Sequence, residues 1–383
     1  NFGSVLFDFE KNATLETEYG FKLNSEIYLQ SHSYKDKFYI LTVSRRSSKL
    51  NIYTFDHEGN FGKRIFDFSD RFFGDRKNEK IQLDEFLTER VQYKTEGTVV
   101  KVEESNPNNI SITSNVFKIY DRGNSFILTI DEGLLYTYIF EFKVPELTVD
   151  LKAIEKEKLP NSKFLTASNS YLFGDKIFQI SGLSDTLVFT VKNLETKEVL
   201  KRIELSKDED INFKNSPILQ EGTFMSTSDK RKLEKTSQFL RKITAEDIGV
   251  AVISTEDGYQ ITMGGNKKRE QNGGGPMMMG GFGGGMPIGA VGTLGTVIVS
   301  FNTAFYAFNS YKSNKSTSIE CLFDENFDHI KGAVPQNVFD KIKNYTMKNE
   351  HDRAINIFKM KNFYVYGSYN SDEDTYELIK FSE

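Results

Sequence analysis

Residues able to do chemistry are few in this chain, and they stand far apart. The four histidines are His32, His57, His329 and His351. None shares the H-x-x-x-H or H-E-x-x-H spacing that sets two imidazoles on one face for a metal. Each is read as a surface-turn residue, and His57 lies inside the polar turn "DHEGN". Cys321 is the single cysteine, so neither an internal disulfide nor a cysteine-based zinc site can form. No G-x-S-x-G nucleophile elbow occurs, and no Cys–His pair has family context. Carboxylates cluster at Asp208, Glu209 and Asp210 and at Asp372, Glu373 and Asp374. Calcium loops alternate their oxygen ligands around a glycine and close with a glutamate. Glycine is missing from both clusters, so they read as turns. No catalytic residue, metal ligand or cofactor is assigned.

One segment departs from the rest. Between Glu270 and Lys312 no residue is charged, a run of 41 positions in a chain that is 27% charged. Within it, "GGGPMMMGGFGGGMPIGAVGTLG" holds eleven of the 28 glycines and four of the eight methionines. Its "GGFGGG" lacks the Lys and Ser/Thr of a phosphate-binding loop. Its glycines and prolines make it a poor membrane helix despite its length. A plain linker would be Gly/Ser-rich or charged. This one carries Met277, Met278, Met279, Phe282, Met286, Ile288 and Leu294. Unbranched methionines adapt to irregular apolar surfaces. These seven are the candidate partner-binding residues, on a loop insertion spanning 271–296.

A basic stretch, Lys230, Arg231, Lys232, Lys235, Arg241 and Lys242, lies in 229–247 with Leu233, Leu240 and Ile243. It reads as a basic amphipathic helical insertion. A solvated helix face and an anionic surface are both open to it. Short helices are also expected over 79–92 and 335–346, the latter with Pro335 at the first helical position.

The elements that hold these segments are strands. "DKFYILTVS", "KLNIYTFD", "SFILTID", "TLVFTVKN", "GVAVIST" and "TYELIKFS" alternate and are rich in β-branched and aromatic residues, with polar turns between them. The 33 Phe and 18 Tyr supply a core without tryptophan. A net charge of −5 argues against nucleic acid as a partner. The N-terminal "NFGSVLFDFEKN" lacks a signal peptide's basic start and apolar run, as a processed chain would.

Residues 36–69 and 175–206 align as a repeat. Asp36-Lys37 matches Asp175-Lys176, Leu50 matches Leu187, and Lys63-Arg64-Ile65 matches Lys201-Arg202-Ile203. Looser copies run over 124–142 and 362–383. Such units bury both faces only by stacking. The pattern resembles the divergent β-propeller repeats of secreted and envelope proteins, and the Phe/Tyr/Lys/Asn-rich style resembles Bacteroidetes proteins. "DTL" at 185–187 resembles a short acceptor motif for O-linked sugars in such proteins.

The expected fold is all-β: a single β-propeller-like domain over 1–383, of six to eight blades, with short helical insertions. The resemblance implies export to the periplasm or cell surface, in an outer-membrane-associated setting. The expected function is a non-catalytic interaction subunit of an envelope complex. Its partner is a protein or a membrane surface, met through the Gly/Met-rich loop. The alternatives are a secreted glycan- or peptide-binding propeller and, third, a propeller hydrolase.

Overall fold

The computed structural model describes residues 2–8, 10–19, 25–56, 58–89, 99–159, 167–222, 230–267, 302–312, 315–349 and 352–382. They gather into two compact units: Asn1–Lys101 with Val116–Lys156, and Val102–Asn115 with Glu157–Glu383.

The first unit opens with a hairpin, β1 (Phe2–Asp8) and β2 (Ala13–Tyr19). A four-stranded antiparallel meander follows, made of β3 (Glu26–Tyr34), β4 (Lys37–Ser44), β5 (Lys49–Asp56) and β6 (Phe61–Asp67). Next come a short hairpin, β7 (Phe73–Gly74) and β8 (Lys80–Ile81), and one π-helical turn, Glu85–Glu89. A second sheet holds β9 (Val100–Val102), β10 (Phe117–Asp121), β11 (Ser125–Ile130), β12 (Tyr136–Lys143) and β13 (Thr148–Glu155). The core is aromatic. Phe66 and Phe142 meet edge to face at 5.7 Å, as do Phe68 and Phe140 at 5.3 Å. Such pairs contribute beyond the area they bury.

The second unit holds three sheets. The first is the meander β14 (Ala167–Phe173), β15 (Lys176–Gly182), β16 (Thr186–Asn193) and β17 (Val199–Ser206). The next is built from β18 (Ile218–Glu221), β19 (Lys230–Leu233), β20 (Asp247–Thr255), β21 (Gly258–Asn266) and β22 (Ser316–Phe323), in the order β19-β18-β22-β21-β20. The last is three-stranded: β23 (Asp352–Lys359), β24 (Phe363–Asn370) and β25 (Thr375–Ser382). Four helices accompany them: α1 (Ile110–Thr113), α2 (Thr236–Ala245), α3 (Thr303–Lys312) and α4 (Val338–Thr346).

These are blade-type sheets, and the architecture is that of an all-β propeller. The described residues form five such sheets, not the six to eight expected. Among the described residues, connecting stretches such as 68–89, 207–217 and 324–349 add little or nothing to the blades.

The two matched repeats occupy equivalent strands. Lys37 opens β4 and Lys176 opens β15, while Lys63-Arg64-Ile65 and Lys201-Arg202-Ile203 lie in β6 and β17. A two-residue turn precedes each opening lysine. Lys35 has φ 52° and Gly174 has φ 57° at the same turn position. Tight hairpins that follow the strand twist need this left-handed conformation. The later turns match as well. The Asp56 carboxylate accepts from the Glu58 and Asn60 N–H groups, and the Asn193 amide oxygen accepts from those of Glu195 and Thr196.

Three helix expectations are met in part. Over 79–92 the described residues 83–89 are helical, two α-helical residues running into the π-helical turn, while the start of the segment forms β8, where Ile81 pairs with Phe73. Within 229–247 the chain is first a strand. Leu233 pairs with Ile218 in β19, while Leu240 and Ile243 are buried on α2 together with Thr236 and Phe239. Pro335 stands outside α4. Asn337 caps that helix, its side-chain oxygen accepting from Phe339 N and Asp340 N while Asp340 accepts from Asn337 N.

One stretch of the second unit comes from far upstream. Val102–Asn115 is inserted in sequence between two parts of the first unit. It buries Asn106, Asn108 and Asn109. Asn108 Nδ2 donates to the carbonyls of Glu103 and Asn106 and to Tyr171 Oη. Asn106 Oδ1 accepts from Tyr364 Oη at 2.8 Å.

Candidate functional site

Met277, Met278, Met279, Phe282, Met286, Ile288 and Leu294 lie outside the described residues, as do His57 and His351.

His32 is not a turn residue. It sits on β3, 3% exposed, with Phe126 and Tyr39 around its ring. Its Nε2 lies 2.7 Å from Gly123 O, which can only accept, so Nε2 carries the proton and donates. Its Nδ1 approaches Asp121 Oδ2 at 3.1 Å, poorly aligned for a hydrogen bond. Burial raises the Asp121 carboxyl, but His32 and the Lys101 ammonium at 3.0 Å outweigh it and hold it well below the usual carboxylate range. With Nε2 held by a carbonyl, this His–Asp pair clamps a loop and has no arm for a substrate. His329 Nε2 meets Asn215 Oδ1 at 3.1 Å beside a β-bridge to Phe323.

The carboxylate clusters are turns. Asn370 Oδ1 accepts from Asp372 N and Glu373 N, and Glu209 accepts from Ser206 N. The basic stretch is divided. Lys230, Arg231 and Lys232 are exposed on β19, Lys235 caps α2, and Lys230 pairs with Glu221 at 2.6 Å. Among the described residues no group of three His, Cys, Asp or Glu is placed to hold a metal. No described helix is long and apolar enough to cross a membrane.

The feature that stands out is the C-terminal sheet. Alternation along a strand sends neighbouring side chains to opposite faces. On one face Ile357, Tyr366 and Ile379 form a row, followed by Lys359, Tyr364 and Phe381. That face packs on α4, where Tyr364 meets Phe339 at 5.5 Å and Tyr366 meets Tyr345 at 5.5 Å. The opposite face sets Phe358 beside Val365 and Lys380, Gly367 beside Leu378, and Tyr369 beside Tyr376. It is apolar and open: Phe358 is 41% exposed, Met360 47%, Tyr376 52% and Leu378 67%. A Cβ at Gly367 would lie 2.6 Å from Tyr376 Oη, so the glycine lets the tyrosine ring lie flat across the sheet. By contrast, the outer strand β17 sets its exposed Val199 and Leu200 beside charge pairs, Arg202 with Glu157 and Glu204, and Lys201 with Asp328.

A cleft of about 570 Å³ opens at one end of this face. Its walls are Glu103 and Ser105, the N-terminus of α3 from Asn302 to Ala304, and the turn from Phe358 to Lys361. The walls are cross-braced. Asn302 Oδ1 caps Phe305 N, and its Nδ2 donates to Asn356 Oδ1 and Ile357 O. Thr303 Oγ1 donates to the Glu103 carboxylate. Lys359 Nζ donates to Ser105 O and Tyr364 Oη. The surface signal was present in the sequence as alternating "TYELIKFS" and "FYVYGSY". Which face would stay uncovered was not, because both faces carry aromatics.

No protein-family model matches the chain, and no curated protein matches it significantly. Among solved structures it is similar to the WD40 domain of SCAP from fission yeast, at 11% identity and TM-score 0.27, covering all of this chain and 72% of that one. It is similar to the β-propeller domain of the Trilobed protease from Pyrococcus furiosus, at 9% identity and TM-score 0.27, covering 93% and 82%. A third similarity is to the Bacteroides ovatus xyloglucan PUL GH43B, at 10% identity and TM-score 0.27, covering 92% and 51%. Likenesses this distant carry no argument about activity. The propeller architecture rests on the blade-type sheets, and the Bacteroidetes resemblance gains nothing from these matches.

Proposed function

We propose that the chain is a non-catalytic interaction subunit of a cell-envelope assembly, exported to the periplasm or cell surface. The observation that carries this reading is the C-terminal sheet, with one face packed on α4 and the other apolar and open. Contiguous exposed apolar surface marks a place that a partner covers. The protein partner is met through the Gly/Met-rich segment, by Met277, Met278, Met279, Phe282, Met286, Ile288 and Leu294. The test replaces residues 273–286 with a Gly/Ser linker of equal length and follows thermal stability and co-purification from native membranes. Lost association at unchanged stability is expected. Unchanged association overturns the assignment of the loop.

A second reading, a glycan- or peptide-binding propeller, is favoured by one observation. The cleft sets Ser105, Asn302 and Thr303 around the exposed ring of Phe358. Calorimetric titration with oligosaccharides and peptides, with Phe358→Ala as control, tests it. Binding lost in that variant supports it, and absence of binding removes it.

A further inference from the structure

The sheet of β23, β24 and β25 stops at β25 among the described residues. Its ladder with β24 is unbroken from Thr375 to Ser382, and β25 contains no proline. Natural edges are usually blunted by bulges, prolines or charge. This one has neither bulge nor proline, and its charges are Glu377 on the face packed on α4 and Lys380 on the open face. Its charges are sorted along the strand. Asp372, Glu373 and Asp374 precede it, with Arg353 on the strand facing Tyr369. Lys380 stands near its other end, its ammonium 4.5 Å above the Phe363 ring, and Lys361 lies in the adjoining turn.

We infer that this edge seats a second copy of the same chain, two β25 strands pairing antiparallel across a two-fold axis through Leu378. This rests on reading the chain as an interaction protein, and it names what pairs with the open edge. A closed two-fold contact must be self-complementary. A strand acidic at its start and basic at its end meets that condition when paired antiparallel with itself. Side-chain alternation restricts the register, since a one-residue slip would set outer side chains against inner ones. Pairing centred on Leu378 keeps Thr375–Phe381 of both strands in the ladder. It sets Leu378 against its own copy and Lys380 against the Tyr376 ring of the other chain, a cation–π arrangement. The acidic turn of each copy then lies beside Lys380 and Lys361 of the other. Centring on Lys380 would oppose two lysines, and centring on Glu377 would oppose two glutamates. Centring on Ile379 would set Leu378 against Lys380.

Sedimentation and light scattering of the full chain over a dilution series test the assembly. A concentration-dependent dimer is expected. An acidic-ended variant (K361E with K380E) and a basic-ended variant (D372K, E373K and D374K) should each be monomeric, and should dimerise when mixed. Leu378→Cys tests the register, because residues on the axis fall within disulfide reach. It should give an air-oxidised covalent dimer, and Tyr376→Cys should not. Native Cys321 is fully buried, and burial pushes its thiol well up, so it does not compete. A wild-type monomer at every concentration, or a dimer indifferent to both charge variants, overturns the inference. A monomer that still co-purifies with its partner overturns the dimer alone and leaves the interaction function standing.

Discussion

Gln30 and Asn169 hold the same place in two different blades. Gln30 stands opposite Leu41, and Asn169 stands opposite Ile180. Leu41 and Ile180 are each the fifth residue of their blade's second strand. In both cases the amide oxygen accepts the next residue's N–H, Ser31 or Ser170. The amide nitrogen reaches backbone carbonyls elsewhere in its own unit: Val99 O for Gln30, and Ser114 O and Ile248 O for Asn169. Asn356, opposite Gly367, accepts from Ile357 N in the same way. Lys118, opposite Thr129, takes the position in another blade, and Ala251, opposite Thr262, breaks the series. At Gln30, Asn169 and Asn356 a side-chain amide at this strand position ties its sheet to the segment beside it.

Removing that tie has a definite cost. Asn169→Ala strips the Ser114 and Ile248 carbonyls of a buried donor, and an unsatisfied buried group costs about 1–3 kcal/mol. Asn169→Asp is worse at neutral pH, since a carboxylate then faces two carbonyl oxygens. Urea denaturation should rank wild type above Ala above Asp, with the Asp deficit shrinking on acidification.

At the Lys118 position the tie is ionic. Lys118 Nζ lies 2.9 Å from Asp131 Oδ2, Thr137 Oγ1 donates to Asp131 Oδ1, and Lys156 Nζ donates to the carbonyls of Asp131 and Gly133. Burial pushes the Lys156 ammonium down to about 8 despite the Asp131 charge. Asp131→Ala leaves two buried lysines without their carboxylate and should cost about 3–5 kcal/mol in chemical denaturation. Lys118→Met with Asp131→Leu should recover part of that loss.

Stability should fall with rising pH through one carboxyl. Burial raises Glu246 to about 7, and neither the Lys242 and Lys267 charges nor Thr317 pulls it back. An unfolded glutamate titrates near ~4.3. Between these values the native state binds the extra proton, so unfolding releases it and stability declines as pH rises. Glu246→Gln should flatten the decline between about pH 4.5 and 7 and gain stability at pH 8. A variant with the wild-type profile would exclude Glu246 as its source.

His32→Ala should act on folding. Gly123 O loses its donor, at about 1–3 kcal/mol, and Asp121 loses one of the two partners that hold its carboxyl low. The expected result is a lowered Tm with a raised Asp121 pKa by NMR titration. An unchanged Tm would remove the clamp assigned to this pair.

Much of this architecture was legible in the sequence, for physical reasons. Alternating strands and their turn chemistry are local, so "DKFYILTVS" and "DKIFQIS" announced equivalent strands before any contact was known. The failures are tertiary. Ile81 left its helical pattern to pair with Phe73. His32 sits among polar neighbours in "LQSHSY", and only the fold brings Asp121 and Gly123 to it. Helix α3 was hidden inside the charge-free run. Its signals were Asn302 as a cap and the Ala304, Ala307, Phe308 spacing, all buried in the structure. The amide position was invisible because Gln, Lys and Asn share geometry there and not identity.

Val102–Asn115 carries a consequence for the order of synthesis. The ribosome delivers this stretch before the strands β10 to β13 that complete the first unit, yet its own partners come later. Tyr171 follows Asn108 by 63 positions, and Tyr364 follows Asn106 by 258. Until those tyrosines emerge, Asn106 and Asn108 have only water and local partners such as Glu103. The first unit can therefore condense while this stretch waits for the rest of its own unit.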